Sequence, residues 1–208
     1  MTAMSIDVLR KKIHPPIESQ REEEDLWKFF DTVNCYSYAL GLLCDIRFLN
    51  PGQLSQMQKQ NQYTDEELIE RVKSDVYVLG LEIRESSLDE DITGENTWKI
   101  AILNTGKTLT QERYDYHFLR QGQNKKWYQK IPYDQFPSSY DNRYRTITDP
   151  AAATYSFHYH LVGYFVVTKL EQVWASRRLF LLFIKRKSQA FKCLAIFLLS
   201  SFIIWAIW

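Results

Sequence analysis

The hydrophobic pattern of the chain changes from a helical to a strand-like period at Trp98, and this change restricts the possible folds more than any other sequence feature. Before it, apolar residues recur at helical spacing, behind two capping-box patterns: Ser19 with Glu22, and Thr64 with Glu67. After it, residues alternate as in strands. The strand-like segments are 98–103, 113–121, 126–131, 143–149 and 158–168. Helices followed by an antiparallel sheet indicate an α+β fold rather than βαβ units.

Composition limits the size and class of the protein. The 208 residues are 45% hydrophobic and include 13 Tyr, 12 Phe and 6 Trp, enough for the core of one domain. A net charge of +1 gives no case for nucleic acid as a partner. The three cysteines, Cys35, Cys44 and Cys193, do not make a disulfide framework, which indicates a reducing compartment or at least free thiols.

The C-terminal segment is apolar. Residues 193–208 carry no charge, and a helix over 188–208 is long enough to cross a hydrocarbon core of ~30 Å. Basic residues 185–187 precede it, and Trp205 and Trp208 lie at its far end, where interfacial aromatics are expected. We predict a single-pass tail anchor in a lipid bilayer, with the preceding domain on the cytoplasmic side. The alternative is a buried core helix, but the segment lacks the usual polar stripe.

These patterns divide the chain into four parts. Residues 1–17 are predicted to be a loose N-terminal segment without a secretory signal. The folded domain is predicted over 18–168, an amphipathic and basic juxtamembrane helix over 169–187, and the anchor over 188–208.

Cys35 is the first candidate for a catalytic residue, as a nucleophile. It follows Asp31, Thr32 and Asn34, which favour helix N-termini, and it precedes an apolar helical run. A thiol at a helix N-terminus lies in the positive end of the helix dipole, which lowers its pKa and favours the nucleophilic thiolate. The alternative is that Cys35 is a small buried hydrophobic residue.

A cysteine nucleophile needs a histidine and a polar group that orients the histidine. His14 is a poor candidate because it lies in the loose segment beside two prolines. His117 lies in a strand between aromatic residues, and Asp149 ends an extended run just before Pro150. Cys35 on a helix, His117 on a strand and Asp149 on a later strand are therefore the candidate catalytic residues. The alternatives are a structural strand histidine and an aspartate that serves a turn.

No cofactor or metal site is predicted. His158 and His160 share one face of a strand, but the sequence offers no third ligand at an obvious spacing.

Several blocks carry a family resemblance. A cysteine on an early helix, followed by a histidine and a polar residue on successive strands, resembles the papain-like cysteine peptidase superfamily, especially its small NlpC/P60-like members. The resemblance covers about residues 30–168. The chain is also similar to bacterial proteins of this type that carry NCYxYAL, DYHxxRQ, WxxK and DP blocks. The matching segments here are 34–40, 115–121, 127–130, 147–150 and 163–165.

This resemblance implies roles for individual residues. Cys35 would be the nucleophile, His117 the base and Asp149 the orienting group, with the backbone N–H of Cys35 and Asn34 as oxyanion donors. The related proteins commonly carry a histidine just before the lysine of the WxxK block, where this chain has Gln129.

The expected function is a membrane-anchored cysteine peptidase or amidase that forms a thioester with a protein, peptide or acyl-amide substrate. Acyltransferase or transglutaminase chemistry at the same triad is an alternative. The Asn-Cys pair also resembles lecithin-retinol-acyltransferase-like enzymes, although their histidine precedes the cysteine and only His14 does so here. A further alternative is a non-catalytic membrane-anchored interaction module. The Gln- and Tyr-rich composition and the anchor would also suit a secreted bacterial effector at a host organelle membrane.

Overall fold

The structure, a computed structural model, describes residues 5–30, 32–44, 46, 48–94, 96–106, 114–134 and 136–170. The chain divides into two compact units, Met1–Lys169 and Leu170–Trp208, and all elements named below belong to the first. The helices are α1 (Ile6–Lys11), α2 (Gln20–Trp27), α3 (Cys35–Ala39) and α4 (Asp65–Val78). The strands are β1 (Leu81–Ser86), β2 (Thr97–Asn104), β3 (Tyr116–Gln121), β4 (Trp127–Gln129) and β5 (His160–Lys169).

The strands form one antiparallel sheet in the order β1-β5-β2-β3-β4, which confirms the predicted α+β class. The β3–β4 hairpin determines the position of the candidate site. Its ladder runs from Gln121 paired with Trp127 to Leu119 paired with Gln129. His117 precedes Leu119 by two residues on β3 and lies outside the paired part of the hairpin. Its side chain is on the same face of the sheet as that of Gln129.

The helices bury one face of the sheet. Trp98, Ile102 and Phe118 on the strands are buried in one cluster with Leu68 and Val72 of α4. Each such side chain contributes about 1.5–3 kcal/mol when it is fully buried. The predicted capping box of α4 is present, because the Thr64 hydroxyl accepts from the Glu67 N–H and the Glu67 carboxylate accepts from the Thr64 N–H.

Helix α3 is shorter than the sequence suggested. The apolar run predicts a helix to about Cys44, but α3 ends at Ala39. Gly41 adopts a positive φ of 68°, which terminates the helix. The backbone N–H of His14, in the N-terminal segment, donates to the Gly41 carbonyl oxygen at 2.8 Å. A Cβ atom at Gly41 would lie 2.3 Å from the His14 carbonyl oxygen, so only glycine permits this approach.

The described part of the N-terminal segment, residues 5–17, is ordered rather than loose. Leu9 of α1 and Ile13 are buried in the main core, and Ile13 forms a β-bridge with Leu42. Arg120 of β3 donates to the His14 carbonyl oxygen at 2.8 Å. For residues 5–17 the prediction of a loose segment was wrong, because these residues contribute apolar side chains and a main-chain acceptor to the domain.

Within the part of the chain that the structure describes, no helix is both long enough and apolar enough to cross a bilayer. The predicted anchor at 188–208 and nearly all of the predicted juxtamembrane helix at 169–187 lie outside the described residues.

Asp75 of α4 joins three parts of the fold. It is fully buried, and its carboxylate accepts from the Tyr36 hydroxyl at 3.0 Å and from the Gly52 N–H at 2.8 Å. It also accepts from the N–H and the hydroxyl of Ser55, at 2.7 and 2.8 Å. These bonds fix α4 against the 50–55 loop and against α3, in which Tyr36 directly follows Cys35.

We expect Asp75→Ala to lower the free energy of unfolding by about 3 kcal/mol or more, because several buried donors lose their acceptor. Urea denaturation monitored by circular dichroism measures this change. Asp91→Ala is the matched control, because Asp91 pairs with Lys125 on the exposed surface and its removal should leave stability unchanged. Equal stability of the Asp75 variant and the parent chain would contradict the assigned role.

Candidate active site

A cavity of about 470 Å³ lies where the start of α3 meets β3, the end of β4 and the 155–159 segment. Cys35 and His117 both line it. Asp149 is not among its lining residues. The lining side chains that matter for the chemistry are Asn34, Cys35, Asp115, His117, Gln129, Lys130, Tyr155, Phe157 and Tyr159.

Asn34 fixes where α3 begins. Its side-chain oxygen accepts from the Ser37 N–H at 3.1 Å, and its side-chain nitrogen donates to the Leu49 carbonyl oxygen at 2.7 Å. An N-cap of this kind holds the following residue, Cys35, at the first helical position. The Asn34 side chain therefore serves the helix. The backbone N–H groups of the first turn have no acceptor within the helix.

The Cys35 thiol is not ionised in the resting site. Its residue is only 8% exposed, and burial raises the pKa of the thiol to about 12. Hydrogen bonds from the backbone N–H groups of Phe118, Tyr36 and Cys35 itself lower this pKa, whereas the negative charge of Asp115 raises it. The sequence predicted a lowered thiol pKa at the helix start. That prediction was wrong because α3 has only five residues and desolvation outweighs its N–H groups.

A hydrogen bond from Gln129 determines the tautomer of His117. The ring Nε2 lies 2.7 Å from the Gln129 side-chain oxygen, and both residues are buried. The Gln129 side-chain nitrogen donates to the Tyr140 carbonyl oxygen at 2.8 Å, which fixes the amide with its oxygen towards the ring. Because an amide oxygen only accepts, Nε2 must carry the hydrogen. The neutral ring then has its lone pair on Nδ1.

His117 is in its unprotonated form, in which it can act as a base. Burial lowers the pKa of its imidazole, and this outweighs the Gln129 hydrogen bond and the Asp115 charge, which raise it. The ring is therefore neutral at neutral pH. Among the described residues no side chain or backbone group hydrogen-bonds to Nδ1. A basic nitrogen and a protonated thiol thus line the same cavity.

Aromatic side chains hold the His117 ring. Tyr159 stacks on it with a centroid distance of 5.8 Å, and Tyr155 meets it edge-on at 5.4 Å. The Tyr159 hydroxyl donates to the Asp115 carboxylate at 2.7 Å. These contacts restrict rotation of the imidazole. No sequence pattern predicts these contacts, because Tyr155 and Tyr159 come from an irregular segment between 150 and 159.

Asp149 does not contact His117. Its Oδ1 accepts from the Tyr164 hydroxyl at 2.5 Å and from the Ala151 N–H at 2.9 Å. This is the turn role that an aspartate before a proline commonly has. The assignment of Asp149 as the orienting group is therefore corrected: the side chain that bonds to the His117 ring is Gln129.

His160 lies apart from the cavity. Its Nε2 is 2.8 Å from the Asp65 carboxylate near the start of α4. The described residues contain no group of three or more His, Cys, Asp or Glu side chains that could hold a metal ion.

Comparison with known proteins identifies no relative: no protein-family model, curated protein or solved structure matches the chain. The chemistry of the site is therefore argued from geometry. The fold and the site together define an α+β domain in which a helix-start thiol and an oriented neutral imidazole share a cavity.

We expect Gln129→Glu to raise the pKa of His117, because a carboxylate at this position stabilises the imidazolium. Gln129→Met should lower it, because the hydrogen bond that favours the charged ring is lost. NMR titration of the His117 ring protons measures both changes. Gln123→Glu, in the turn between β3 and β4, is the control and should leave the titration unchanged. A His117 pKa that is the same in all three variants would refute the Gln129 contact.

Proposed function

We propose that the domain is a cysteine hydrolase of papain-like, NlpC/P60-like architecture that acts on an amide or other acyl substrate. Cys35 is the nucleophile, His117 the general base and Gln129 the orienting group. The observation that best supports this proposal is the hydrogen bond between Gln129 and Nε2 of His117. This bond leaves the lone pair of the neutral imidazole on Nδ1, in the cavity that Cys35 also lines. A cysteine at a helix start, followed by a histidine and a polar residue on successive strands, supports the same architecture.

The proposed reaction has two stages. Nδ1 of His117 takes the Cys35 proton as the sulfur attacks the carbonyl carbon, and the oxyanion accepts from the backbone N–H of Cys35. The imidazolium returns the proton to the leaving nitrogen, the C–N bond breaks and a thioester remains. His117 then deprotonates a water that attacks the thioester. The carboxylic acid leaves and the sulfur regains its proton, which restores the thiol.

The resting pair is neutral. A raised thiol pKa and a lowered imidazole pKa both disfavour the thiolate–imidazolium ion pair. Proton transfer must then accompany the attack on the substrate, as it does in serine hydrolases. The active form of His117 is the unprotonated one. Activity should therefore rise with pH through a His117 pKa below the ordinary histidine value, and deprotonation of His117 should cause no loss at higher pH.

We expect the protein to hydrolyse p-nitrophenyl acetate through an acetyl thioester on Cys35, with the pH dependence just described. Cys35→Ala should lower the rate by at least about 10³-fold, because no other residue replaces the nucleophile. Release of p-nitrophenol and peptide mass spectrometry of the acetylated cysteine are the measurements. Cys44→Ala is the control, since Cys44 is buried in the main core. An unchanged rate in Cys35→Ala would refute the proposal.

Acyl transfer uses the same thioester. If an amine rather than water resolves the acetyl-Cys35 intermediate, the protein is a transferase or a transglutaminase-type enzyme. Adding hydroxylamine and comparing acetohydroxamate with acetate formation distinguishes the two outcomes. A non-catalytic interaction module would instead keep its partner binding when Cys35 and His117 are both replaced by alanine.

We also propose, on the sequence alone, that 188–208 anchors the domain at the cytoplasmic face of a membrane. The full chain should then remain in the membrane fraction after alkaline carbonate extraction. A chain that ends at residue 187 should be released, because the apolar segment supplies the binding energy. A chain in which a Gly/Ser sequence of equal length replaces 188–208 is the control and should also be released. Retention of either variant in the membrane would contradict the anchor.

A further inference from the structure

Asp115 presents a fixed carboxylate to the cavity. It lies two residues before His117, and it is one of the lining residues. One carboxylate oxygen accepts from the Tyr116 N–H at 2.9 Å, and the other accepts from the Tyr159 hydroxyl at 2.7 Å. Both oxygens are thus held in place by neutral donors, which leaves the negative charge uncompensated by these contacts.

No cation within the described ranges forms an ion pair with Asp115. The other charged lining residue is Lys130, which is fully buried, and its ammonium donates to the carbonyl oxygens of Ile131 and Asp134. His117 is neutral, since burial lowers its pKa. Asp115 is also the charged side chain whose field acts on both Cys35 and His117. Asp115 therefore contributes a negative potential at both of the proposed reacting side chains.

The wall beside this carboxylate is aromatic. Tyr155 and Phe157 each contact Tyr159, with ring centroids 5.7 and 5.9 Å apart, and all three residues line the cavity. Aromatic rings next to a carboxylate are well suited to an organic cation, because the ring faces and the carboxylate both attract positive charge. The same wall offers little to a carboxylate or phosphate group.

We propose that Asp115, Tyr155, Phe157 and Tyr159 form a subsite for a positively charged group of the substrate, such as a primary ammonium or a guanidinium. This inference rests on the proposed function, because it assigns the class of acyl substrate that reaches Cys35. A substrate cation at Asp115 also offsets the charge that opposes formation of the Cys35 thiolate. A cationic substrate therefore favours formation of the Cys35 thiolate, whereas an anionic substrate disfavours it.

Thiol reagents that share one leaving group and differ in charge test the subsite without a known substrate. The probes are 2-aminoethyl methanethiosulfonate, its 2-sulfonatoethyl counterpart and the neutral methyl compound, with Cys35 modification rates followed by peptide mass spectrometry. Relative to the same reagents on 2-mercaptoethanol, Cys35 should prefer the cationic over the anionic reagent by about tenfold or more, as expected for one partly screened charge contact. In Asp115→Asn this preference should fall to within about twofold of that of the free thiol, since the charge is gone.

Asp134→Asn is the matched control. Asp134 is an exposed acidic residue near the cavity that does not line it, so its removal makes the same change in net charge and should preserve the preference. In the unaltered protein, raising the salt to ~1 M should also weaken the preference, because the Debye length falls to ~3 Å. This salt series keeps the test valid if Asp115→Asn does not fold.

The outcomes separate the two proposals. No preference in the unaltered protein, or an equal preference in Asp115→Asn, overturns the subsite. If p-nitrophenyl acetate is still hydrolysed through Cys35 in that case, the proposed function stands. If none of the three reagents modifies Cys35, both proposals fail together.

Discussion

The site depends on one hydrogen bond, 2.7 Å long, between Nε2 of His117 and the side-chain oxygen of Gln129. An imidazole in the wrong tautomer would present an N–H to the cavity and could not accept the thiol proton. The Tyr140 carbonyl oxygen prevents this by binding the Gln129 nitrogen, which leaves only the amide oxygen for the ring. Because His117 and Gln129 are buried, water competes poorly for either contact. A main-chain carbonyl thus determines, through one amide, which ring nitrogen is basic.

Burial has a second consequence for the chemistry. It raises the pKa of the Cys35 thiol and lowers the pKa of His117, so both groups rest in their neutral forms. The fixed charge of Asp115 adds to the cost of the thiolate and lowers the cost of the imidazolium. Only a small fraction of the Cys35 side chain is therefore thiolate in the resting site, which slows but does not prevent its reaction with simple thiol reagents. Nucleophilic power then depends on the group that enters the cavity, which connects substrate charge with catalysis.

Much of this arrangement could be predicted from the sequence. The capping residues predict the starts of α2, α3 and α4, and four of the alternating segments correspond to β2, β3, β4 and β5. The alternation misses β1, and the predicted segment 143–149 forms only an isolated bridge at Thr146. Cys35 and His117 also follow from the sequence pattern, and both line the cavity. The contact between Gln129 and His117 could also be predicted from the sequence. The β3–β4 hairpin was expected, and its register places Gln129 opposite Leu119, on the same face as His117. The prediction for Asp149 was wrong because the strand beside β3 at this edge is β4, and the extended segment that ends at Asp149 belongs to no strand of the sheet.

The remaining features depend on contacts between residues far apart in the chain. Gly41 ends α3 where the His14 carbonyl approaches, and no local pattern predicts that approach. Tyr159 reaches Asp115 from an irregular segment whose path follows from packing rather than periodicity. The thiol pKa also follows from desolvation, which only the packed structure reveals.

The most direct test of the central claim is the tautomer of His117 in the resting protein. Long-range ¹H–¹⁵N correlation spectra at neutral pH distinguish a protonated ring nitrogen from one that carries a lone pair. The account predicts a neutral ring with the hydrogen on Nε2 and the lone pair on Nδ1. A hydrogen on Nδ1, or a charged ring at neutral pH, would contradict it.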